Sequence, residues 1–177
     1  MVIPRSWKDA DGAAAMRDFL RVPAPRRAAV RDLMTELLSE NPFARRCAAD
    51  LARRVSAREP GILSKYFDVL TGLVAELPLE QWQARGYVTL AAAWNAETRT
   101  QRMKLAALVR PLIEDERIAI RAIALEAFAI LAIAEPELRA EVMVLLEHFR
   151  RNGASAMRSR SRRMLLLLLA AEKKARL

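Results

Sequence analysis

The residues best suited to chemistry are arginines near the C-terminal end of the sequence, in the segment RRNGASAMRSRSRRM. Guanidinium groups bind phosphates and carboxylates through paired hydrogen bonds. Six of them are candidates for binding an anion or a macromolecular partner: Arg150, Arg151, Arg158, Arg160, Arg162 and Arg163. The segment offers no aromatic side chain on which bases could stack, and no groove-reading motif is recognisable. The alternative interpretation is a solvated, arginine-rich helix.

Catalytic and metal-binding residues are scarce. His148 is the single histidine, and no serine or cysteine nucleophile is identifiable for it to serve. There is no glycine-rich phosphate loop and no two-histidine metal motif. The acidic run Glu114, Asp115 and Glu116 is typical of a solvated corner between helices, and Cys47 stands among small residues that favour packing over thiol reactivity. We therefore expect no enzymatic activity and no cofactor.

Charge and hydropathy limit the environment of the protein. The net charge is +9, and residues 150–177 carry +8 while residues 111–149 carry −5. The longest apolar stretch, residues 164–171, has 8 residues, whereas a membrane span needs about 20. The N-terminal residues lack the apolar segment of a secretory signal, and one cysteine cannot form an intramolecular disulfide. These features predict a soluble, cytoplasmic protein without a membrane partner.

The elements that position these residues repeat along the chain. Strong helix formers dominate, glycines number only 5, and no alternating apolar and polar stretch occurs, which predicts an all-α fold. Arginines recur 39, 36 and 39 residues apart: Arg46, Arg85, Arg121 and Arg160. Three residues before each stands a large apolar residue: Phe43, Trp82, Ile118 and Met157. A small residue follows each arginine: Cys47, Gly86, Ala122 and Ser161.

A second helix type alternates with the first. An apolar stripe with i, i+3, i+4, i+7 spacing begins at Val30, Leu70, Leu105 and Val142, which are 40, 35 and 37 residues apart. Asn41 and Pro42 are typical of a helix cap, and Pro111 is expected to kink or shorten its helix. The predicted helices cover about 6–20, 25–40, 42–58, 62–77, 80–95, 98–114, 116–134, 136–151 and 154–174.

Paired helices with this period resemble the HEAT-repeat family of armadillo-like α-solenoids, most clearly in NPFARRCAADLA and DERIAIRAIALEAFAILA. The resemblance covers roughly residues 25–174. It implies one domain over 1–177, a right-handed α-α superhelix of about four stacked helix pairs. An N-terminal capping helix (about 6–20), helix pairs (about 25–151) and a basic, apolar C-terminal helix (about 154–174) make up this domain. Members of the family generally act as scaffolds that bind other proteins.

In such an array the small residues would let neighbouring backbones approach closely. The large apolar residues and Trp94 would pack in the core, and Trp7 would hold the first helix onto the array. The repeated arginines would form an anion-binding ladder along one face. Alternatively, each would pack its aliphatic stem on the next repeat and pair locally.

The final helix is apolar on every side over residues 164–171, and by this count it has no second-type partner. Its leucines are expected to fold back or to meet another chain, which makes self-association possible. The leading hypothesis is a non-enzymatic scaffold with a protein partner. The alternative is nucleic-acid binding through the arginine-rich helix, since the DNA alkylation-repair glycosylases resemble this chain in architecture and basic charge. Those enzymes are longer, and their tryptophan, aspartate and arginine pocket matches no positions here.

Overall fold

A computed structural model describes residues 26–175, with the side chains of residues 28–173. The predicted helix over 6–20 and the predicted role of Trp7 lie outside the described residues. Within 26–175 every regular element is helical and no strand occurs. The all-α prediction is therefore confirmed for this part of the chain.

Two kinds of helix alternate through the described residues, as the repeat predicts. The α-helices are α1 (Arg26–Leu37), α2 (Pro42–Arg58), α3 (Phe67–Glu76), α4 (Trp82–Trp94), α5 (Arg99–Val109), α6 (Ile118–Ala134), α7 (Pro136–Asn152) and α8 (Ser155–Ala175). Short 3-10 helices cover Ser64–Tyr66, Leu79–Gln81 and Arg110–Glu114. We call α2, α4, α6 and α8, which carry the repeated arginines, the first-type helices. The second-type helices are α1, α3, α5 and α7.

Helix ends follow from local chemistry. The side chain of Asn41 accepts hydrogen bonds from the backbone N–H of Phe43 at 2.9 Å and of Ala44 at 3.4 Å, which caps α2. Pro42 occupies the first helical position, where its missing N–H costs nothing. The α-helix is shortened just before Pro111: α5 ends at Val109, and a 3-10 helix over Arg110–Glu114 follows. The predicted effect of this proline is confirmed.

The first-type helices pack in sequence order, α2 on α4, α4 on α6 and α6 on α8. The second-type helices pack beside them: α1 on α2, α3 on α4, α5 against both α4 and α6, and α7 against both α6 and α8. Each helix thus contacts helices that lie one or two elements away in the chain, and these contacts join their apolar sides into one core.

The core is richest in small side chains at the middle of the array. Nine residues of α6, five of them alanine, are buried: Ala122, Ala124, Leu125, Ala127, Phe128, Ala129, Ile130, Leu131 and Ala132. Their burial on several sides of the helix agrees with contacts to α4, α5, α7 and α8. Across the described residues, no helix combines the length and apolar character that a membrane crossing requires.

A polar joint holds the end of α4 to the preceding helix pair. Asn95 is fully buried; its Oδ1 accepts a hydrogen bond from the backbone N–H of Leu63 at 2.6 Å, and its Nδ2 donates to Ser56 Oγ at 2.8 Å. Nearby, the N–H of Gly61 donates to the carbonyl of Trp94 at 3.1 Å. Gly61 has a φ of 87°, a backbone conformation that favours glycine. The turn after α2 is therefore fastened to the C-terminal end of α4.

Candidate functional site

The arginine row comprises Arg46, Arg85, Arg121 and Arg160, which occupy equivalent positions on successive first-type helices. At one end, Arg46 Nη1 donates to Gln83 Oε1 of α4 at 3.1 Å, and its guanidinium lies 5.3 Å from the centroid of the Phe43 ring. At the other end, Arg160 Nε lies 3.1 Å from Glu126 Oε2 of α6. Both ends of the row therefore bridge neighbouring helices through local contacts.

The two central arginines differ from those at the ends. Arg85 and Arg121 are half-buried, and the Nε atom of each is buried without a hydrogen-bond partner. Among the described residues neither has a carboxylate within 4.0 Å. Asp115 has a pKa below its ordinary value chiefly because Arg117 donates hydrogen bonds to it, with a smaller contribution from the charge of Arg85. The central arginines thus present donors that the described chain does not satisfy.

The space beside Arg85 is too small for a ligand. A cavity lies between α4 and α6, where it is lined by Trp82, Arg85, Gly86 and Asp115 among others. Its volume is about 20 Å³, enough for about one water molecule. Small-molecule sites are typically about 300–1,000 Å³. An open cleft of about 280 Å³ lies farther along the row between α2 and α4, where it is lined by Phe43 and Arg46. The row is therefore a surface rather than a substrate pocket.

Four of the six arginines predicted near the C-terminal end are in ion pairs. Arg150 Nη2 and Arg151 Nε lie 2.8 Å and 3.7 Å from Glu147 Oε2. On α8, Arg160 and Arg163 share the carboxylate of Glu126, with Arg163 Nη2 2.5 Å from Oε1. Each carboxylate therefore neutralises part of the charge of two arginines.

The other two arginines face solvent. Arg158 Nη1 donates to the backbone carbonyl of Gly153 at 3.2 Å, and Arg162 is exposed with neither a hydrogen bond nor an ion pair to any described residue. Their charges are not neutralised by a carboxylate in the described chain. The predicted basic segment is thus divided between locally paired and available arginines.

The predicted packing residues divide according to their depth in the array. Four of the eight are buried: Gly86, Ala122, Met157 and Ser161. Trp82 and Cys47 are half-buried. Phe43 and Ile118, each in the first turn of its helix, are 40% and 44% exposed. These two side chains differ from the predicted core packing.

The carboxylates that form ion pairs with these arginines were not among the residues predicted from the sequence. Glu126 joins α6 to α8, and the side chain of Glu135, only 7% exposed, accepts a hydrogen bond from Arg102 Nε at 3.3 Å. A usable signal was present, since Glu126 is the one acid within the apolar helix α6. A lone carboxylate in such a helix needs a cationic partner when it is half-buried.

The single histidine lies at the surface of α7. His148 is exposed, edge-on to the Phe149 ring at 5.1 Å, with Nδ1 3.4 Å from Asn152 Nδ2. Between residues 26 and 175 no three histidine, cysteine, aspartate or glutamate residues come together as a metal site. The chain matches no protein-family model, no curated protein and no solved structure. Its function has to be inferred from these side chains.

Proposed function

We propose that the chain is a non-enzymatic, HEAT-like scaffold of the cytoplasm, whose helix pairs form a right-handed superhelix that binds another protein. Packing of the helices in sequence order supports this assignment, because stacked pairs present long, regular surfaces. The observation that carries it is the pair of central arginines, Arg85 and Arg121, whose guanidinium groups have no hydrogen bond or ion pair to a described residue.

A protein partner would supply what these arginines lack. The Nε atoms are enclosed by this chain, so a partner would bind the terminal Nη groups, where a hydrogen bond from a guanidinium to a carboxylate contributes about 1.5–3 kcal/mol. The exposed ring of Phe43 and the open cleft next to it offer apolar contact at one end of the row. Arginine and aromatic side chains together are typical of residues that dominate protein interfaces.

The test is capture of a partner from cytoplasmic extract by the full chain and by an Arg85→Gln/Arg121→Gln variant. An Arg58→Gln/Lys65→Gln variant is the matched control, because both side chains are exposed and lie outside the row. We expect the row variant to recover about tenfold less of the partner, equivalent to about 1.4 kcal/mol, while the control recovers the normal amount.

Two results would contradict the proposed function. One is the absence of any reproducibly captured protein with the unaltered chain. The other is equal loss with the row variant and the control, since that would show a general effect of positive charge. Circular dichroism of each variant establishes that its helices are retained.

Nucleic-acid binding is the second candidate, as in a DNA alkylation-repair-like protein. It is favoured by Arg158 and Arg162, whose charges have no carboxylate partner in the described chain. Binding through phosphates would weaken steeply between about 50 and 200 mM salt. A labelled duplex and a labelled single strand that both fail to bind at low salt would eliminate this function. Salt-sensitive binding that Arg158→Glu/Arg162→Glu abolishes would establish it.

A further inference from the structure

The exposed side of α8 combines leucines with unpaired cations. Its main contacts are with α6 and α7, and these leave one side of the helix uncovered in the described structure. On that side Leu166 and Leu169 are 70% and 49% exposed. Arg162 and Lys173 are exposed as well, and neither forms an ion pair or hydrogen bond with a described residue. We call these four residues the α8 stripe.

The order of residues along the stripe is cation, leucine, leucine, cation. Their spacing is i, i+4, i+7, i+11, which places all four along one line of a helix. The two cations are 11 residues apart, or about 16 Å at 1.5 Å per residue. Helix α8 has six basic residues and one acid, Glu172, which is half-buried beside the stripe. An apolar centre is therefore bounded at both ends by positive charge.

We infer that the α8 stripe docks an acidic amphipathic helix of a partner protein, with leucine-like residues at its centre and carboxylates at both ends. This inference rests on the proposed protein-binding function and assigns the chemistry of the partner at one end of the array. The carboxylates would pair with Arg162 and Lys173, while apolar side chains would cover Leu166 and Leu169. A helix laid on an exposed apolar stripe is a recurring mode of protein recognition.

A second copy of this chain fits the stripe poorly. In an antiparallel arrangement that pairs Leu166 with Leu169, Arg162 of one copy would face Lys173 of the other. In a parallel arrangement each cation would face its own equivalent. Like charges in contact are destabilising, so the stripe favours a partner of opposite charge over the predicted self-association.

An anionic membrane also fits less well than an acidic helix. Helices that lie in a membrane interface carry their cations on a face opposite to the apolar one. On α8 the cations stand in line with the leucines, so inserting Leu166 would carry Arg162 and Lys173 toward the acyl chains. A helix with carboxylates at matching positions avoids this cost.

The test uses a labelled synthetic helical peptide with the spacing of the stripe, with leucines at the two central positions and glutamates at the two outer ones. A control peptide has lysines in place of the glutamates. Fluorescence anisotropy with the full chain is expected to show binding of the acidic peptide and about tenfold weaker binding of the lysine peptide, a difference of about 1.4 kcal/mol.

The charge-reversed variant Arg162→Glu/Lys173→Glu should exchange these preferences, losing the acidic peptide and gaining the lysine peptide. A Leu166→Ser/Leu169→Ser variant should lose both peptides. Arg58→Glu/Lys65→Glu is the matched control, since it makes the same change in net charge at exposed residues outside the stripe. All three variants change surface residues. Thermal unfolding of each variant is the check that it remains folded.

Four results would overturn the inference. The acidic peptide could fail to bind the full chain, or the control variant could weaken its binding as much as reversal of the stripe does. Alternatively, light scattering could show a dimer that Leu166→Ser/Leu169→Ser dissociates, or vesicles of anionic lipid could bind through the same leucines more tightly than the peptide. None of these results changes the outcome of the capture experiment on Arg85 and Arg121. Failure of this inference can therefore be distinguished from failure of the proposed function.

Discussion

The two sides of the array are joined by different chemistry. On the first-type side, α4 meets α6 where buried Gly86 lies against Ile123, and a Cβ atom added to the glycine would be 2.7 Å from Ile123 Cδ1. On the second-type side, charged groups connect α5 and the 3-10 helix that follows it to α7, as in the pairs of Arg99 with Glu137 at 2.7 Å and Arg110 with Glu141 at 2.8 Å. Where α4 meets α6 the contact depends on close steric fit, whereas the contacts of α7 with α5 and its 3-10 extension are ion pairs.

This difference predicts where the protein is sensitive to change. Close-packed contacts lose stability when volume is added or a buried polar group loses its partner. Exposed ion pairs contribute about 0–1 kcal/mol, because water and salt screen them. The close-packed contacts of the first-type side should therefore tolerate substitution less well than the exposed ion pairs.

The largest effect is expected at the polar joint within the first-type side. Replacing Asn95 by leucine leaves the buried N–H of Leu63 without an acceptor and removes the partner of Ser56. Since each unsatisfied buried group costs about 1–3 kcal/mol, we expect a loss of about 2–4 kcal/mol in the free energy of unfolding. Urea denaturation measures it. Asn152→Leu, at an exposed residue, is the control, and equal losses in the two variants would contradict the role of Asn95.

The next largest effect tests the steric contact itself. Gly86→Leu should cost about 1–3 kcal/mol, because its side chain would overlap Ile123. Adding Ile123→Ala should recover part of that loss. At Gly72, also within a helix, an added Cβ would have no atom within 4 Å, so Gly72→Leu should not destabilise. An unchanged melting temperature in Gly86→Leu would exclude close approach at this position.

Most helix positions could be predicted from the sequence, because local signals determine where a helix begins and ends. The cap at Asn41 and the break at Pro111 both act within one helical turn, and both are observed. Less predictable were helix starts that lack such signals. The helix expected near 62–77 begins as α-helix only at Phe67, after a 3-10 turn of residues 64–66. The fully buried position of Asn95 was not predicted, because its partners are up to 39 residues away.

The candidate site could be predicted less well, because its contacts also join residues that are far apart in the sequence. Repeat spacing identified Arg46, Arg85, Arg121 and Arg160 but not their neighbours. Whether an arginine is neutralised depends on residues of the adjacent helix, such as Glu126 beside Arg160. The lone acid in α6 indicates that a cationic partner is needed but not which arginine supplies it. Burial behaves similarly. Phe43 and Met157 share a repeat position, yet the first is at the edge of the row and the second is 1% exposed.

On the second-type side, the effect of removing an ion pair should depend on its burial. Glu135 is 7% exposed and contacts Arg102, so Glu135→Gln should cost about 1–3 kcal/mol through loss of a charged hydrogen bond. Glu141 is 41% exposed, and Glu141→Gln should cost below about 1 kcal/mol. Thermal unfolding of the two variants provides the comparison. A larger loss for Glu141→Gln would show that exposed ion pairs, rather than buried ones, hold this side together.

The smallest effect is the pH dependence of the exposed ion pairs. The pKa of Glu141 is lowered mainly by its hydrogen bond from Arg110, and that of Asp115 mainly by its hydrogen bond from Arg117. A carboxyl whose pKa is lower in the folded state stabilises the fold above its unfolded pKa, about 4, and loses this contribution as pH falls through the folded value.

Stability should therefore fall as pH decreases below about 4, and by less in an Asp115→Asn/Glu141→Gln variant, which lacks both titrating groups. Asparagine at position 115 can still accept the hydrogen bond from the N–H of Arg117, so the local turn is retained. High salt should reduce the difference between the two proteins, because exposed pairs are screened. The test is to measure the melting temperatures of both proteins between about pH 6 and pH 3, the range in which carboxyl groups titrate. Parallel curves of melting temperature against pH would show that these ion pairs contribute nothing to folding.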